Sequence, residues 1–435
     1  MESGIRTIIF SILLVSIASC GGSGGGSGSN NNQAMPLSCS VINQNRFVLD
    51  VMEDIYLYYD QLPNINPSDY SSPEAMLSDL IVTPDRFSYI ANQQAQQSFF
   101  EEGTYIGLGY GSEDDGNDAY VIRYVFDDSS AGRAGLQRSD RILAIDGVNV
   151  TNINNNGGFT SFINNYSEDD TLRYSVSSVG EAPRDIDLTI GLVTINTVIS
   201  AEVINTNGLA VGYLALTSFL EPTKDELLNA FTTFAQANID ELVLDLRYNG
   251  GGRVTTAQRL SSLIAGSSAI GADTAKLVYN DKNSEFNTTF PFESLANSVD
   301  LNRLYVLTLN GTCSASELTI NAMDPVNIDV ITVGQTTCGK PVGSVGINFC
   351  EKTLNPIAFN VFNDLDQGDY FNGIEATCSA TDDLNTLLAD PSEGMLATAL
   401  SHISNGQCPV TRTTTRDEFS QKNTEISFNI MESVH

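Results

Sequence analysis

Apolar positions along the chain fall into two regimes. Phe47, Val48, Val51, Met52, Ile55, Tyr56 and Tyr59 recur at the three-and-four spacing of a helix. A second helix is predicted over about 73–81, after the turn-rich stretch Leu62-Pro-Asn-Ile-Asn-Pro67. From residue 210 the pattern alternates. Residues 211–216 read as a strand, and 226–235 as a helix with Leu227, Leu228, Phe231 and Phe234 on one face. Residues 242–246 read as a strand and 255–265 as a helix, and apolar runs at 304–309 and 328–333 read as further strands. A last helix is expected over 393–403, and the polar stretch 411–435 reads as a frayed tail. Strands alternating with helices predict an α/β core with helices packed on a sheet.

Three segments of that core carry candidate chemistry. Glu241-Leu-Val-Leu-Asp-Leu-Arg-Tyr-Asn-Gly-Gly-Gly252 is a buried strand running into three glycines, where backbone N–H groups can approach a ligand closely. Gly311-Thr-Cys-Ser-Ala-Ser-Glu-Leu-Thr-Ile-Asn-Ala-Met323 follows a strand, and Ser314-x-x-Glu317 has the spacing of a capping box opening a helix. A hydroxyl there sits among unpaired N–H groups that stabilise developing negative charge. Cys338-Gly-Lys-Pro-Val-Gly343 then brings Lys340 on a glycine-flanked turn to the same sheet edge. A serine needs something to take its proton, and a desolvated lysine with a lowered pKa can do so without histidine. Taken singly, the serine motif is also an ordinary helix start and the lysine an ordinary turn residue.

Together the three segments resemble the C-terminal processing peptidases, or tail-specific proteases, which are Ser-Lys serine endopeptidases. The family's Asp-Leu-Arg-x-Asn-x-Gly-Gly motif matches Asp245 to Gly252, its Ser-Ala-Ser-Glu motif matches Ser314 to Glu317, and its Gly-Lys turn matches Gly339-Lys340. The resemblance implies Ser314 as nucleophile and Lys340 as general base. It also implies an oxyanion hole from the N–H groups of Gly251 and Ala315, with Gly250 a near alternative to Gly251. It further implies a crotonase-like α/β peptidase core over 194–410 and no metal or cofactor. The stretch between Ser314 and Lys340 is one residue longer than the family's commonest spacing. The family's lysine-orienting glutamine, four residues after the lysine, is replaced here by Ser344, whose hydroxyl is the candidate for that role.

The resemblance extends upstream, to a small helical N-terminal domain over 37–100 and a PDZ-like β-rich module over 101–193. Gly107-Leu-Gly-Tyr110 is similar to the module's carboxylate-binding loop, in which Gly107, Leu108, Gly109 and Tyr110 would capture a free peptide C-terminus. Ala131-Gly-Arg-Ala-Gly-Leu-Gln-Arg-Ser-Asp-Arg-Ile-Leu-Ala-Ile-Asp-Gly147 matches its short helix, turn and strand. The expected partners are therefore protein or peptide substrates recognised by their tails. A lipoprotein that binds such tails without cleaving them is the alternative.

Composition narrows the setting. At 435 residues the chain is too long for one ordinary core, and a net charge of −32 argues against nucleic-acid partners. With only His402 and His435, a Ser-His-Asp triad and a histidine-rich metal site are close to excluded. Residues 1–20 read as a lipoprotein signal peptide, with an apolar run over 8–17 and Ile17-Ala-Ser-Cys20 similar to a lipobox whose Cys20 carries the lipid. Residues 21–36 read as a Gly/Ser/Asn tether. A bacterial cell-envelope location follows, periplasmic or outer-membrane, with the membrane reached only through Cys20. Six other cysteines remain, and an even number in an exported chain favours disulfides. Cys378 with Cys408 is the first expected pair and Cys338 with Cys350 the second. Cys313 is a rival nucleophile, without a paired histidine.

Overall fold

The computed structural model describes residue 36 and residues 38–409. The expected signal peptide and lipid site at Cys20, the tether up to residue 35 and the polar tail from residue 411 lie outside the described residues.

A six-stranded sheet organises the core. Its strands are β1 (Val198–Thr206), β2 (Leu209–Leu216), β3 (Glu241–Asp245), β4 (Arg303–Thr308), β5 (Asp329–Gly334) and β6 (Cys378–Ser379), in that spatial order. The β1–β2 pair is an antiparallel hairpin, and every later neighbour is parallel. Parallel pairing requires crossovers, which are supplied by helices α3 (Thr223–Ala237) between β2 and β3, α4 (Val254–Ala265) between β3 and β4, and α5 (Ala315–Asn321) between β4 and β5. Alternation within each strand fills both faces. Leu214, Leu242, Leu244, Leu304 and Val306 pack on one side with α3, α4 and α5. Tyr213, Val243, Tyr305, Leu307 and Val333 pack on the other, against Met395, Leu396 and Ala399 of α6 (Gly394–Asn405). Burial on both faces explains why these strands read as unbroken apolar runs.

Before the sheet come helices α1 (Val41–Ile55) and α2 (Pro73–Leu80), the latter opened by Ser72 Oγ accepting the Ala75 N–H at 3.1 Å, with Pro73 at its first position. Their apolar faces merge with the core of the large sheet. Helix α1 is shorter than its periodicity predicts. Tyr56 turns out of the helix, fully buried, and the Leu57 N–H donates to the Ile357 carbonyl at 2.8 Å. Tyr59 therefore starts a separate short turn. Leu228 also departs from expectation. It is 39% exposed, while Leu227, Phe231 and Phe234 are buried.

Between α2 and the sheet lies a β-rich module with its own apolar core, built around Tyr120, Ile122, Ile142, Leu172 and Tyr174. Its five main strands run antiparallel from Tyr110–Asp114 to Arg184–Thr189, and the pair Thr104–Gly107 with Gly191–Thr194 closes its base. Arg138 fastens the module to the core. Its guanidinium donates to Tyr248 Oη at 2.6 Å, to Asp382 Oδ1 at 2.7 Å and to the Thr386 carbonyl at 2.8 Å. Among the described residues no helix is long and apolar enough to cross a membrane.

Among the described residues three disulfides are present: Cys39–Cys350, Cys313–Cys338 and Cys378–Cys408. The last is the first expected pair. The expected Cys338–Cys350 bridge is overturned, because the loops after β4 and β5 run side by side and put Cys338 against Cys313, with Cα atoms 5.2 Å apart. Cys350 instead anchors the approach to α1.

Candidate active site

Strands β3, β4 and β5 are neighbours and parallel, so the loops leaving their carboxyl ends emerge together. Those loops carry residues 249–252, 312–314 and 337–340. Hydrogen bonds lace them: Cys313 N–H to the Asn249 carbonyl at 3.2 Å, Cys338 N–H to the Thr312 carbonyl at 3.0 Å, and Thr312 Oγ1 to the Leu246 carbonyl at 2.8 Å. The Cys313–Cys338 bridge ties the second and third loops covalently. With its sulfur in that bond, Cys313 offers no thiolate nucleophile.

Ser314 stands between β4 and α5 with φ 58° and ψ −113°, a conformation that L residues rarely adopt and that the surrounding bonds impose. Its N–H donates to Glu317 Oε2 at 2.9 Å, the carboxylate half of the expected capping box. Ala315 opens α5, where a first-turn N–H has no partner within the helix. Gly251 lies against both residues. A Cβ there would sit 2.8 Å from Ser314 Cβ and 3.0 Å from the Ala315 nitrogen, and its φ of +107° suits glycine alone. The Gly251 N–H, expected to face an oxyanion, donates here to Asn249 Oδ1 at 2.8 Å. Asn249, fully buried, also donates to the Leu216 carbonyl at 3.0 Å and accepts from Ser316 Oγ at 3.0 Å.

Lys340 is 8% exposed. Burial lowers its pKa to about 8, against the opposing pull of Asp85 and Glu317. Its ammonium lies 5.1 Å from the centre of the Phe87 ring. The segment 85–88 therefore caps the lysine from the N-terminal side. Asp85 accepts from the Phe87 N–H at 2.7 Å, Ser88 Oγ at 2.5 Å and Tyr56 Oη at 2.9 Å, and Arg86 donates to the Cys338 carbonyl at 2.6 Å. Nothing local in the Asp85-Arg-Phe-Ser stretch signals a partner over 250 residues away.

Ser344 does not take the orienting role expected of it. Its Oγ is buried and makes no hydrogen bond to any described residue, Lys340 included, because the short side chain is held in the strand Val342–Ser344.

One cavity of about 410 Å³ joins these groups. Ser314, Ala315, Lys340, Ser344 and the glycines 250–252 line one part, and Tyr105, Tyr110, Tyr124 and Phe126 of the β-rich module line another. Of the expected carboxylate loop, Tyr110 reaches the cavity, while Leu108 is buried in the module's core. Gly109 has φ +90°, and its carbonyl accepts the Phe126 N–H at 2.9 Å. Burial pushes the ionisation of the Tyr105 phenol up, with the Gly109 backbone opposing it only weakly.

Two clusters of metal-ligating side chains occur among the described residues, Cys378–His402–Cys408 and Cys313–Glu317–Cys338. In each the sulfurs are committed to a disulfide. His402 is half-buried, with Nδ1 3.1 Å from Tyr305 Oη.

Residues 210–378 match peptidase family S41, and residues 43–89 match the peptidase S41 N-terminal domain. The carboxyl-terminal-processing protease of Synechocystis sp. is 29% identical over 213 residues, 49% of this chain and 47% of that protein. The carboxy-terminal processing protease CtpA of Bacillus subtilis is 26% identical over 260 residues, 59% of this chain and 52% of that protein. The chain thus spans about half the length of the curated relatives it matches. A crystal structure of a putative S41 protease from Bacteroides fragilis superposes with a TM-score of 0.68 at 26% identity, covering 82% of this chain and 97% of that one. The sheet core and the helical segment before it thus each match a domain of peptidase family S41.

Proposed function

We propose that this protein is an exported serine endopeptidase that cleaves protein substrates selected by their C-terminal tails. The observation that carries the reading is a buried lysine of lowered pKa and a strained serine lining one cavity. In this mechanism Lys340 Nζ takes the Ser314 hydroxyl proton as Oγ attacks the scissile carbonyl carbon. The proton then passes to the leaving amine, and water resolves the acyl-enzyme by the same route. The Ala315 N–H and a glycine N–H from 250–251 hold the oxyanion. For Gly251 to serve, its N–H must first release Asn249 Oδ1. Lys340 is a base only when neutral, so activity rises with pH through about 8.

Tail selection is supported by the β-rich module, read as PDZ-like, whose aromatic side chains line the cavity that also holds Ser314. Export and lipid attachment at Cys20 rest on the sequence, and the three disulfides suit an oxidising compartment. Incubation of the purified protein with unfolded casein tests the reading. Wild type should degrade it and Ser314→Ala should not. Binding of free-acid peptides without cleavage by wild type would favour the non-catalytic alternative.

A further inference from the structure

Glu317 stands apart among the buried charged side chains of the core because it bonds the backbones of both Ser314 and Lys340 and does not line the cavity. Its carboxylate is fully buried. Oε2 accepts the N–H of Ser314 at 2.9 Å and of Lys340 at 2.8 Å, and Oε1 accepts the N–H of Gly339 at 2.7 Å and Thr337 Oγ1 at 2.5 Å. Three of the four donors are backbone N–H groups, which can only donate, so the acceptor they converge on is a carboxylate with both oxygens filled. One charged group thereby spans the two loops that carry the nucleophile and the base.

We propose that Glu317 is a positioning residue of the catalytic dyad, its charge fixing the Ser314 and Lys340 backbones against each other and stabilising the protonated lysine between proton transfers. The inference rests on the peptidase reading above. Ordinary helix capping would need only the Ser314 contact. The three bonds to residues 337–340 serve no cap, and they reach the turn that aims the lysine. The Cys313–Cys338 bridge holds the same two loops covalently, so the carboxylate is not needed merely to keep them together.

The charges facing Lys340 define what removal should do. Asp85 and Glu317 favour its charged form, and burial opposes it. The Arg86 guanidinium is bonded to the neighbouring Cys338 carbonyl, and the Phe87 ring lies under the ammonium. The Tyr370 phenol, buried without a hydrogen-bond partner among the described residues, lines the same cavity. Glu317→Gln keeps the shape, removes the charge and leaves one oxygen for four donors. Losing about two charge-assisted bonds should cut kcat by roughly 10–100-fold with KM unchanged. The acid limb of the pH–rate profile should move to lower pH, because the lysine loses a stabilising anion.

The experiment measures kcat and KM for a quenched fluorogenic peptide across pH for wild type and Glu317→Gln. In parallel, peptide mass mapping follows the pH dependence of Lys340 acetylation by acetic anhydride, a readout that needs no turnover. Both midpoints should fall in the variant. A kcat loss with unmoved midpoints would reduce Glu317 to a structural residue and overturn the proposal, as would unchanged kcat. Wild type without peptidase activity would sink the peptidase reading, while the acetylation midpoint would still decide whether Glu317 tunes Lys340. Should Glu317→Gln fail to fold, Thr337→Val removes one donor and keeps the charge. It should lower kcat and leave the midpoint in place, and a shifted midpoint there would overturn the proposal equally.

Discussion

Arg247 is the cation of a buried cluster directly behind the glycine loop, and its removal should be costly. At 2% exposure it donates to Asp245 at 2.9 and 3.0 Å, to Asp382 at 2.7 Å and to Glu393 at 2.8 and 2.9 Å. Asp382 keeps Arg138 as a second cation and Asp245 keeps the Tyr213 hydroxyl at 2.7 Å, but Glu393 is left with two backbone N–H groups, those of Asp383 and Leu396, and has no cation besides Arg247 among the described residues. Arg247→Met thus strands at least one buried carboxylate, for a loss of about 3–5 kcal/mol, a large part of the roughly 5–15 kcal/mol that hold a domain together. The pH dependence has a definite sign. Burial pushes the Asp382 and Glu393 carboxyls up, yet Arg247 and the other donors more than offset it and hold both below the usual range. Their stabilisation is present above the ordinary carboxylate range and disappears as pH falls through the depressed values. The gap between wild type and variant in guanidinium unfolding should therefore be widest near neutrality and shrink in acid. Arg247→Lys should fall between them, having charge but no fork. A neutral-pH loss under about 1 kcal/mol, or one independent of pH, would refute the assignment of this cluster as a structural support.

The remaining expectations are quickly checked. Non-reducing peptide mapping should recover Cys39–Cys350, Cys313–Cys338 and Cys378–Cys408, and a Cys338–Cys350 peptide would contradict the loop arrangement. Gly109→Val should lower affinity for free-acid peptides and leave cleavage of a short amidated peptide unchanged, since the new side chain would begin 1.9 Å from Ser129 Cβ in the module, away from Ser314. Equal cleavage of amidated and free-acid tails by wild type would remove tail selection from the proposed function.

Much of the core was legible because its strands are short apolar runs bounded by helices, the pattern of a sheet buried on both faces. Residues 242–246 and 304–309 fall within a residue of β3 and β4. The three motifs were legible as local sequence, and parallel neighbours explain why they meet. What stayed hidden was long-range. Nothing in Asp85-Arg-Phe-Ser foretells that it covers Lys340, because its bonds to residue 338 and its ring contact exist only once the chain is folded. Glu317 was visible as a helix cap, but its second set of donors comes from a loop twenty or more residues away. The disulfide pairing failed for a related reason. Closeness in sequence suggested Cys338 with Cys350, whereas adjacency of two strand ends chose Cys313.

The central claim is that Lys340 activates Ser314, and covalent labelling tests it most directly. The protein is treated with a fluorophosphonate, which modifies activated serines, and the adduct is located by peptide mass mapping across pH. The account predicts a single adduct on Ser314, formed faster as pH rises through about 8 and lost in Lys340→Met. An adduct on another residue, or labelling of Ser314 at the wild-type rate in Lys340→Met, would contradict it.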